Sequence, residues 1–405
     1  MTSVSLSKIS YSIQKNSHDL PNLVKGPDFN PTWIEKLQRN PKKAKSFVGN
    51  FAVTYHFQSK GHGGKSTDYG IRMWHSKVKD DDIKRYRILN SELLSLNKDS
   101  PKHIRFAPMQ LYEPEENGFL VGEKRYPCLR MEWQDAENLD VFVNNIMRDS
   151  TLNYDQKKSL FREIKQKVLE VGEILHKKKC SHGDLSSGNI MVSQQKDNSI
   201  KIHIVDFDSF YSEKLSSLSP SSIGHPDWQH PGYIAGALNL FGLKSDYCPL
   251  LTLIITLEAL ATDLGLYDQF SPPSQDGSGI LIRKKDLSNP KTSPVFNSML
   301  DLNNPILTTY IDDLIMVLSN DGSYELKRPK SVMINQQVAR PSVSVTVKKH
   351  QPSAKPKTNV KSWQISKKIE SESDLVESLD NGATQMTIVK AMKKQNFRRK
   401  FNDVS

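Results

Sequence analysis

His182-Gly183-Asp184-Leu185-Ser186-Ser187-Gly188-Asn189-Ile190 and, a little further on, Ile204-Val205-Asp206-Phe207-Asp208 are the stretches that decide how this 405-residue chain is read. Apolar residues at helical spacing (Leu160, Ile164, Val168, Val171, Leu175) precede the first, predicting a helix over Asp155–Lys179. An apolar strand leads into Asp206. Asp184 therefore falls on a loop after a helix, where its carboxylate can accept a hydroxyl proton or orient the hydroxyl for in-line attack. Asn189 offers an amide oxygen and Asp206 a charged one. Both are hard ligands suited to Mg²⁺, which keeps its waters and takes few protein ligands. A base, an amide and a carboxylate are the set that phosphoryl transfer from Mg·ATP requires, because that chemistry rests on positioning and charge.

Outward from these motifs the pattern changes. Residues 1–33 are polar and weakly patterned and read as an arm. Phe51–Phe57 and Tyr69–Trp74 are β-rich and flank Gly61-His62-Gly63-Gly64, which predicts a hairpin. Ile83, Tyr86, Leu89, Leu93 and Leu96 mark a helix, and Phe106–Tyr112 and Pro127–Trp133 read as strands. Residues 34–133 are thus expected to be a small β-rich region with one helix. Residues 134–320 read as mainly helical, with short strands around Ile190–Val192 and Ile202–Val205, an apolar helix over Asp246–Ala261 and another over Pro305–Leu318. From 321 to 405 Ser, Pro, Lys and Thr accumulate, the composition of a disordered tail.

With the motifs in this order, the chain resembles the protein-kinase-like superfamily, in a divergent form like the bacterial Ser/Thr protein kinases. The pattern H-R-D-L-x-x-x-x-N stands here as His182-Gly183-Asp184-Leu185 with Asn189, and D-F-G as Asp206-Phe207-Asp208. Gly49-Asn50-Phe51-Ala52-Val53-Thr54 resembles a degraded Gly-rich loop, with Phe47 at the first glycine position, Ala52 at the third and Thr54 at the usual valine. Tyr69-Gly70-Ile71-Arg72 resembles V-A-I-K with Arg72 at the lysine position. Glu92 then stands as either its ion-pair partner or a solvated surface glutamate. Met131-Glu132-Trp133 resembles the segment joining two lobes, where Glu132 and Trp133 backbone groups would meet adenine; Met191 completes the implied nucleotide site. Gly224-His225-Pro226-Asp227-Trp228-Gln229-His230-Pro231 resembles the end of an activation segment, without the closing glutamate. Asp246 resembles the aspartate that anchors the catalytic loop, although an acid at a helix N-terminus is also physically sensible.

The resemblance implies an α+β, bilobal protein-kinase-like fold. A small β-rich lobe over about 34–133 would precede a larger helical lobe over about 134–320. It implies ATP and Mg²⁺ as cofactors, with Asp184 as catalytic base and Asn189 and Asp206 on the metal. Gly49, Ala52, Thr54, Arg72, Glu132, Trp133 and Met191 would surround ATP. Glu92, His182, Asp208, Gly224, Pro226, Pro231 and Asp246 would take structural or regulatory places. Gly183 replaces the arginine that would bind an activation-segment phosphate, so no switching by that phosphate is expected. Arg72 is longer and planar and no equivalent of lysine. Asp208 replaces a glycine, making the loop less permissive and adding a carboxylate near the metal.

Composition narrows the classes. Net charge is +11, but the stretch from Tyr324 to Ser405 holds 17 Lys+Arg against 7 Asp+Glu, so the rest is close to neutral. Nucleic acid or an anionic surface is therefore expected to meet only the basic tail. Cys128, Cys180 and Cys248 form no C-x-x-C pair, which suggests a reducing, cytoplasmic setting and no zinc site. The N-terminus has no secretory apolar region, and Pro249–Ala261, interrupted by Glu258, is too short to span a membrane. Lys60–Ser66 has Ser59 where a P-loop needs glycine, and is better read as a hairpin turn. His225 and His230 have no acid or cysteine at ligand spacing. Three functions fit: a Ser/Thr protein kinase acting on a protein substrate, a small-molecule kinase of aminoglycoside or choline type, and a pseudokinase or ATP-binding interaction module. The segment from Gly224 to Pro231 favours the first.

Overall fold

A computed structural model describes residues 4–15, 36–38, 46–48, 51–60, 66–115, 118–195, 197–271 and 279–319. Gly49, the glycine turn at 61–64 and the tail from 320 onward lie outside the described residues. The protein is a mixed α+β chain. Its elements are α1 (Leu6–Lys15), β1 (Lys36–Gln38), β2 (Ser46–Val48), β3 (Ala52–Lys60), β4 (Ser66–Trp74), α2 (Asp80–Asp99), β5 (Ile104–Phe106), β6 (Met109–Tyr112), β7 (Phe119–Val121), β8 (Lys124–Tyr126) and β9 (Cys128–Glu132). There follow β10 (Glu137–Asn138), α3 (Leu139–Arg148), α4 (Tyr154–Lys177), β11 (Ile190–Gln194), β12 (Ile200–Ile204), α5 (Pro231–Ile234), α6 (Tyr247–Thr262), α7 (Gly265–Phe270), α8 (Lys284–Ser288), α9 (Pro294–Leu300) and α10 (Pro305–Ser319). Two compact units divide them. One contains the described residues up to Val78 together with Leu111–Arg130; the other contains Lys79–Gln110 and the described residues from Met131 onward. Among the described residues no helix is long and apolar enough to cross a membrane.

In the first unit the expected hairpin is present, β3 pairing with β4 from Ala52↔Trp74 to Lys60↔Ser66. Alternation sends Val53, Tyr55, Ile71 and Met73 into one core with Tyr112, Phe119 and Cys128. Thr54 and Arg72 are register partners on the opposite face, both half-buried. The arm expected over 1–33 is corrected in part: Leu6–Lys15 is helical, and Val4 and Ile9 are buried in the same core. Leu6, Ile9 and Ile13 give a single apolar stripe, easily lost among polar neighbours. The hairpin β7–β8, turning through Gly122 at φ +63°, had no counterpart in the sequence reading.

In the second unit the strand expected over Phe106–Tyr112 is broken at Ala107-Pro108. β5 pairs in parallel with β12, Ile104↔Ile202 to Phe106↔Ile204, in a four-stranded sheet of order β10-β11-β12-β5. Pro108 has no N–H with which to continue the ladder. α2 also groups with this unit. α6 packs against α4 and α10 and has Leu251, Leu253, Ile254, Ile255, Leu257 and Leu260 fully buried. Its one acid, Glu258, is matched by Lys165 Nζ at 2.5 Å and Asn304 Nδ2 at 3.0 Å, which is what permits it inside an apolar helix. α4 begins with a reciprocal cap between Asn153 and Gln156 (2.9 and 2.8 Å). It ends in a left-handed turn at Lys179, φ +52°, that delivers the chain into His182.

Candidate active site

The loop His182–Asn189 is gripped through its backbone. Asp246, just before α6, accepts the N–H of His182 at 2.5 Å and of Gly183 at 2.9 Å, and makes no cap to its own helix. Burial pushes the Asp246 carboxyl up, while His182 beside it acts in the opposite direction. His182 is fully buried, its Nε2 on Val205 O at 3.0 Å and its Nδ1 accepting the N–H of Asp184 at 3.3 Å. Burial lowers its pKa, so the ring is a neutral strut between the two motifs. Asn189 closes the loop by donating Nδ2 to Asp184 O at 2.7 Å, which leaves the amide oxygen as its acceptor end.

Asp184 is mostly enclosed. Burial pushes its carboxyl up to about 7, with Asp206, Asp208 and Asp246 adding repulsion, while the backbone N–H of His225 holds it down in part. Its Oδ1 is buried without a hydrogen-bond partner. Gly224 abuts that oxygen: at φ +79°, a Cβ there would lie 2.6 Å from Asp184 Oδ1. Gly183 is likewise sterically required. Its φ is +79°, and a Cβ would collide with Ser209 O. Read in sequence as a missing arginine, position 183 has no room for a side chain at all.

Asp206 sits in the left-handed region at φ +64°. Val205 N donates to Asn189 O at 3.0 Å, joining the two motifs directly. Phe207 is fully buried among the rings of His182, Phe106 and Phe210, with centroids 5.0, 6.4 and 6.0 Å away. A turn closes from Phe210 N to Phe207 O at 3.1 Å. The Asp208 carboxylate accepts the hydroxyl of Tyr86 from α2. One residue earlier on that helix, fully buried Arg85 donates to Phe210 O at 2.7 Å and to Ser219 O, and lies 5.8 Å from the Phe241 ring. Asp82 accepts Ser221 Oγ at 2.6 Å on the same side of the helix.

The segment after these motifs is also pinned. Asp227 accepts the N–H of Lys284 at 2.9 Å and of Gly279 at 3.2 Å, Trp228 is fully buried, and Gln229 reaches Gly183 O at 3.4 Å. Pro231 opens α5 behind a His230 cap onto Gly232 N at 3.0 Å. Pro226 is half-buried. Met191, also half-buried, pairs with Asn138 and His203.

Two sequence expectations meet other partners. Glu92 takes Lys214 Nζ at 2.6 Å, so it is neither solvated nor without a cation. The Glu132 N–H, expected to face adenine, donates to Pro108 O at 3.1 Å, and its side chain holds Arg105 at 2.6 Å. Trp133 is half-buried, and Ala52 is buried in β3. Sequence reasoning missed Arg85, although it stands four residues before Leu89 at the edge of the apolar stripe. Tyr86 is buried as its place in the stripe predicts, and the bond from its hydroxyl to Asp208 has no mark in the sequence.

Among the described residues no group of three or more His, Cys, Asp or Glu side chains is arranged to hold a metal. The donor set of one amide oxygen and carboxylates instead suits a hard, well-hydrated ion such as Mg²⁺. The chain matches no family model and no curated protein.

Proposed function

We propose that the protein is an ATP-dependent phosphotransferase of protein-kinase-like, bilobal architecture, transferring the γ-phosphoryl group to a serine or threonine hydroxyl of a protein. The observation that carries this reading is the frame around the loop: Asp246 fixes the backbone of His182 and Gly183, His182 spans to Val205, and Asn189 spans to Asp184. These bonds prepare three functional groups without a covalent step, as phosphoryl transfer needs. Asn189 and Asp206 would hold Mg²⁺, which would supply charge neutralisation at the phosphates. Asp184, with its carboxyl raised to about 7, is poised to accept a hydroxyl proton near neutrality.

A second reading has one observation in its favour. Asp184 Oδ1 is buried against Gly224. A nucleotide-binding module that transfers nothing would tolerate that enclosure, whereas a kinase would have to use the other carboxylate oxygen of Asp184 or draw Gly224 back to admit a hydroxyl. Mg·ATP turnover with generic protein substrates, measured for wild type and Asp206→Ala, separates the two. Magnesium-dependent transfer lost in the variant supports the kinase. Nucleotide binding without transfer supports the module, and transfer to small hydroxyl or amine compounds alone points to a small-molecule kinase.

A further inference from the structure

Asp206 is held in the left-handed region, at φ +64°, which crowds the Cβ of a non-glycine residue against its own carbonyl. Such a conformation persists only where its surroundings over-determine it. Upstream, Val205 is bonded to both Asn189 and His182. Downstream, the Phe207–Phe210 turn is gripped at two points by adjacent residues of α2, Tyr86 on the Asp208 carboxylate and Arg85 on the Phe210 carbonyl. In the kinase pattern position 208 is glycine and has no side chain to grip. Here the Asp208 carboxylate has one oxygen taken by the Tyr86 phenol.

We propose that Tyr86 is a positioning residue for the metal site: through Asp208 it locks the turn that sets the direction of the Asp206 carboxylate. This rests on the phosphotransferase reading. It makes Asp208 a structural tie to α2 rather than a further Mg²⁺ ligand. It also explains how a loop with aspartate in place of the permissive glycine can still present Asp206. Because the tie needs no phosphate, it fits a segment whose neighbouring Gly183 cannot carry an arginine.

The test titrates Mg²⁺ at fixed ATP with the full chain, following phosphoryl transfer and, separately, the rise in melting temperature that Mg·ATP produces. Wild type is compared with Tyr86→Phe, Asp208→Asn, Asp208→Gly and Asp206→Ala. Tyr86→Phe and Asp208→Gly each lose a hydrogen bond to a charged group and should raise the Mg²⁺ midpoint about tenfold, with transfer largely recovered at saturating Mg²⁺. Asp208→Asn keeps an oxygen for the Tyr86 hydroxyl and should stay within about threefold of wild type. A Tyr86→Phe midpoint within twofold of wild type, even with a lower melting temperature, overturns the proposal. An Asp208→Asn shift as large as that of Asp206→Ala makes Asp208 a metal ligand and also overturns it. Should wild type and Asp206→Ala behave alike, with no Mg²⁺-dependent binding or transfer, the phosphotransferase reading itself fails and takes the proposal with it.

Discussion

The loop at His182–Asn189 and the loop at Asp206–Phe210 carry the candidate chemistry, but they are held in opposite ways. The first is gripped at its backbone N–H groups by Asp246, a buried acceptor at the start of the core helix α6. The second is gripped at a side-chain carboxylate and a backbone carbonyl by donors from α2, more than a hundred residues earlier. An N–H group has one proton to send, so the His182 and Gly183 N–H groups both depend on the single Asp246 carboxylate. A carbonyl has two lone pairs and the second loop has several ties, so its support is distributed. The two meet at Gly183, where a Cβ would run into Ser209 O.

Removing Asp246 should break this comparison most severely. Asp246→Ala leaves two buried N–H groups without partners, each worth about 1–3 kcal/mol. Urea denaturation should show a loss of roughly 3 kcal/mol, and Mg·ATP-dependent transfer should vanish even where the fold survives. Asp246→Asn keeps one acceptor oxygen and should lose about half as much. A loss below about 1 kcal/mol for Asp246→Ala would mean the first loop is as distributed in its support as the second.

Gly183→Ala should come next, because it strikes the seam between the loops. Alanine at φ +79° is strained, and its Cβ would drive into Ser209 O, a backbone atom that cannot rotate away. A loss of about 2 kcal/mol is expected by the same denaturation measurement. An arginine at this position, as in the kinase pattern, should cost at least as much. Gly183→Arg with unchanged stability would show that the loops can slide apart, and that steric exclusion at position 183 is weaker than the static contact implies.

These contacts mark where the sequence was readable. The stripes Leu160–Leu175 and Ile83–Leu96 and the β3–β4 hairpin follow from burial of one face, which imprints a period on neighbouring residues, and each element lies within a few residues of its expected place. Asp184 and Asn189 stood out because spacing within one loop is short-range information, and Asp206 because an apolar strand leads directly into it. Arg85 and Tyr86 did not, because a bond spanning more than a hundred residues leaves no periodic mark. α1 is one apolar stripe in a polar stretch, and the break at Pro108 was hidden inside an apolar run. Position 183 was legible as a departure from arginine; the Ser209 carbonyl that excludes any side chain belongs to the tertiary structure alone.

The smallest expected effect is a gain in stability, and it tests whether the frame holds Asp184 against its own electrostatic preference. Burial and the neighbouring carboxylates raise the Asp184 carboxyl from its ordinary value of 3.8 to about 7. Below about pH 4 the group is protonated in both folded and unfolded chains and contributes no difference. As pH rises toward 7 the unfolded chain ionises first, and the protonation advantage of the folded state is lost progressively; above 7 both are charged and the folded state carries the full cost. Asp184→Asn removes that cost. A shift from 3.8 to about 7 caps the gain at roughly 4 kcal/mol, and the weakened bond from the His225 N–H offsets part of it, so the variant should be more stable than wild type by about 1–2 kcal/mol at pH 8 in the absence of nucleotide and metal, with the difference shrinking toward zero below about pH 4. Thermal melting of the two proteins across that range measures it. The same substitution removes the proton acceptor, so transfer should be lost where stability is gained. Equal melting temperatures at pH 8 would mean that the segment around Gly224 already opens enough to hydrate Asp184, and that the enclosure favouring a non-transferring module is not maintained in solution.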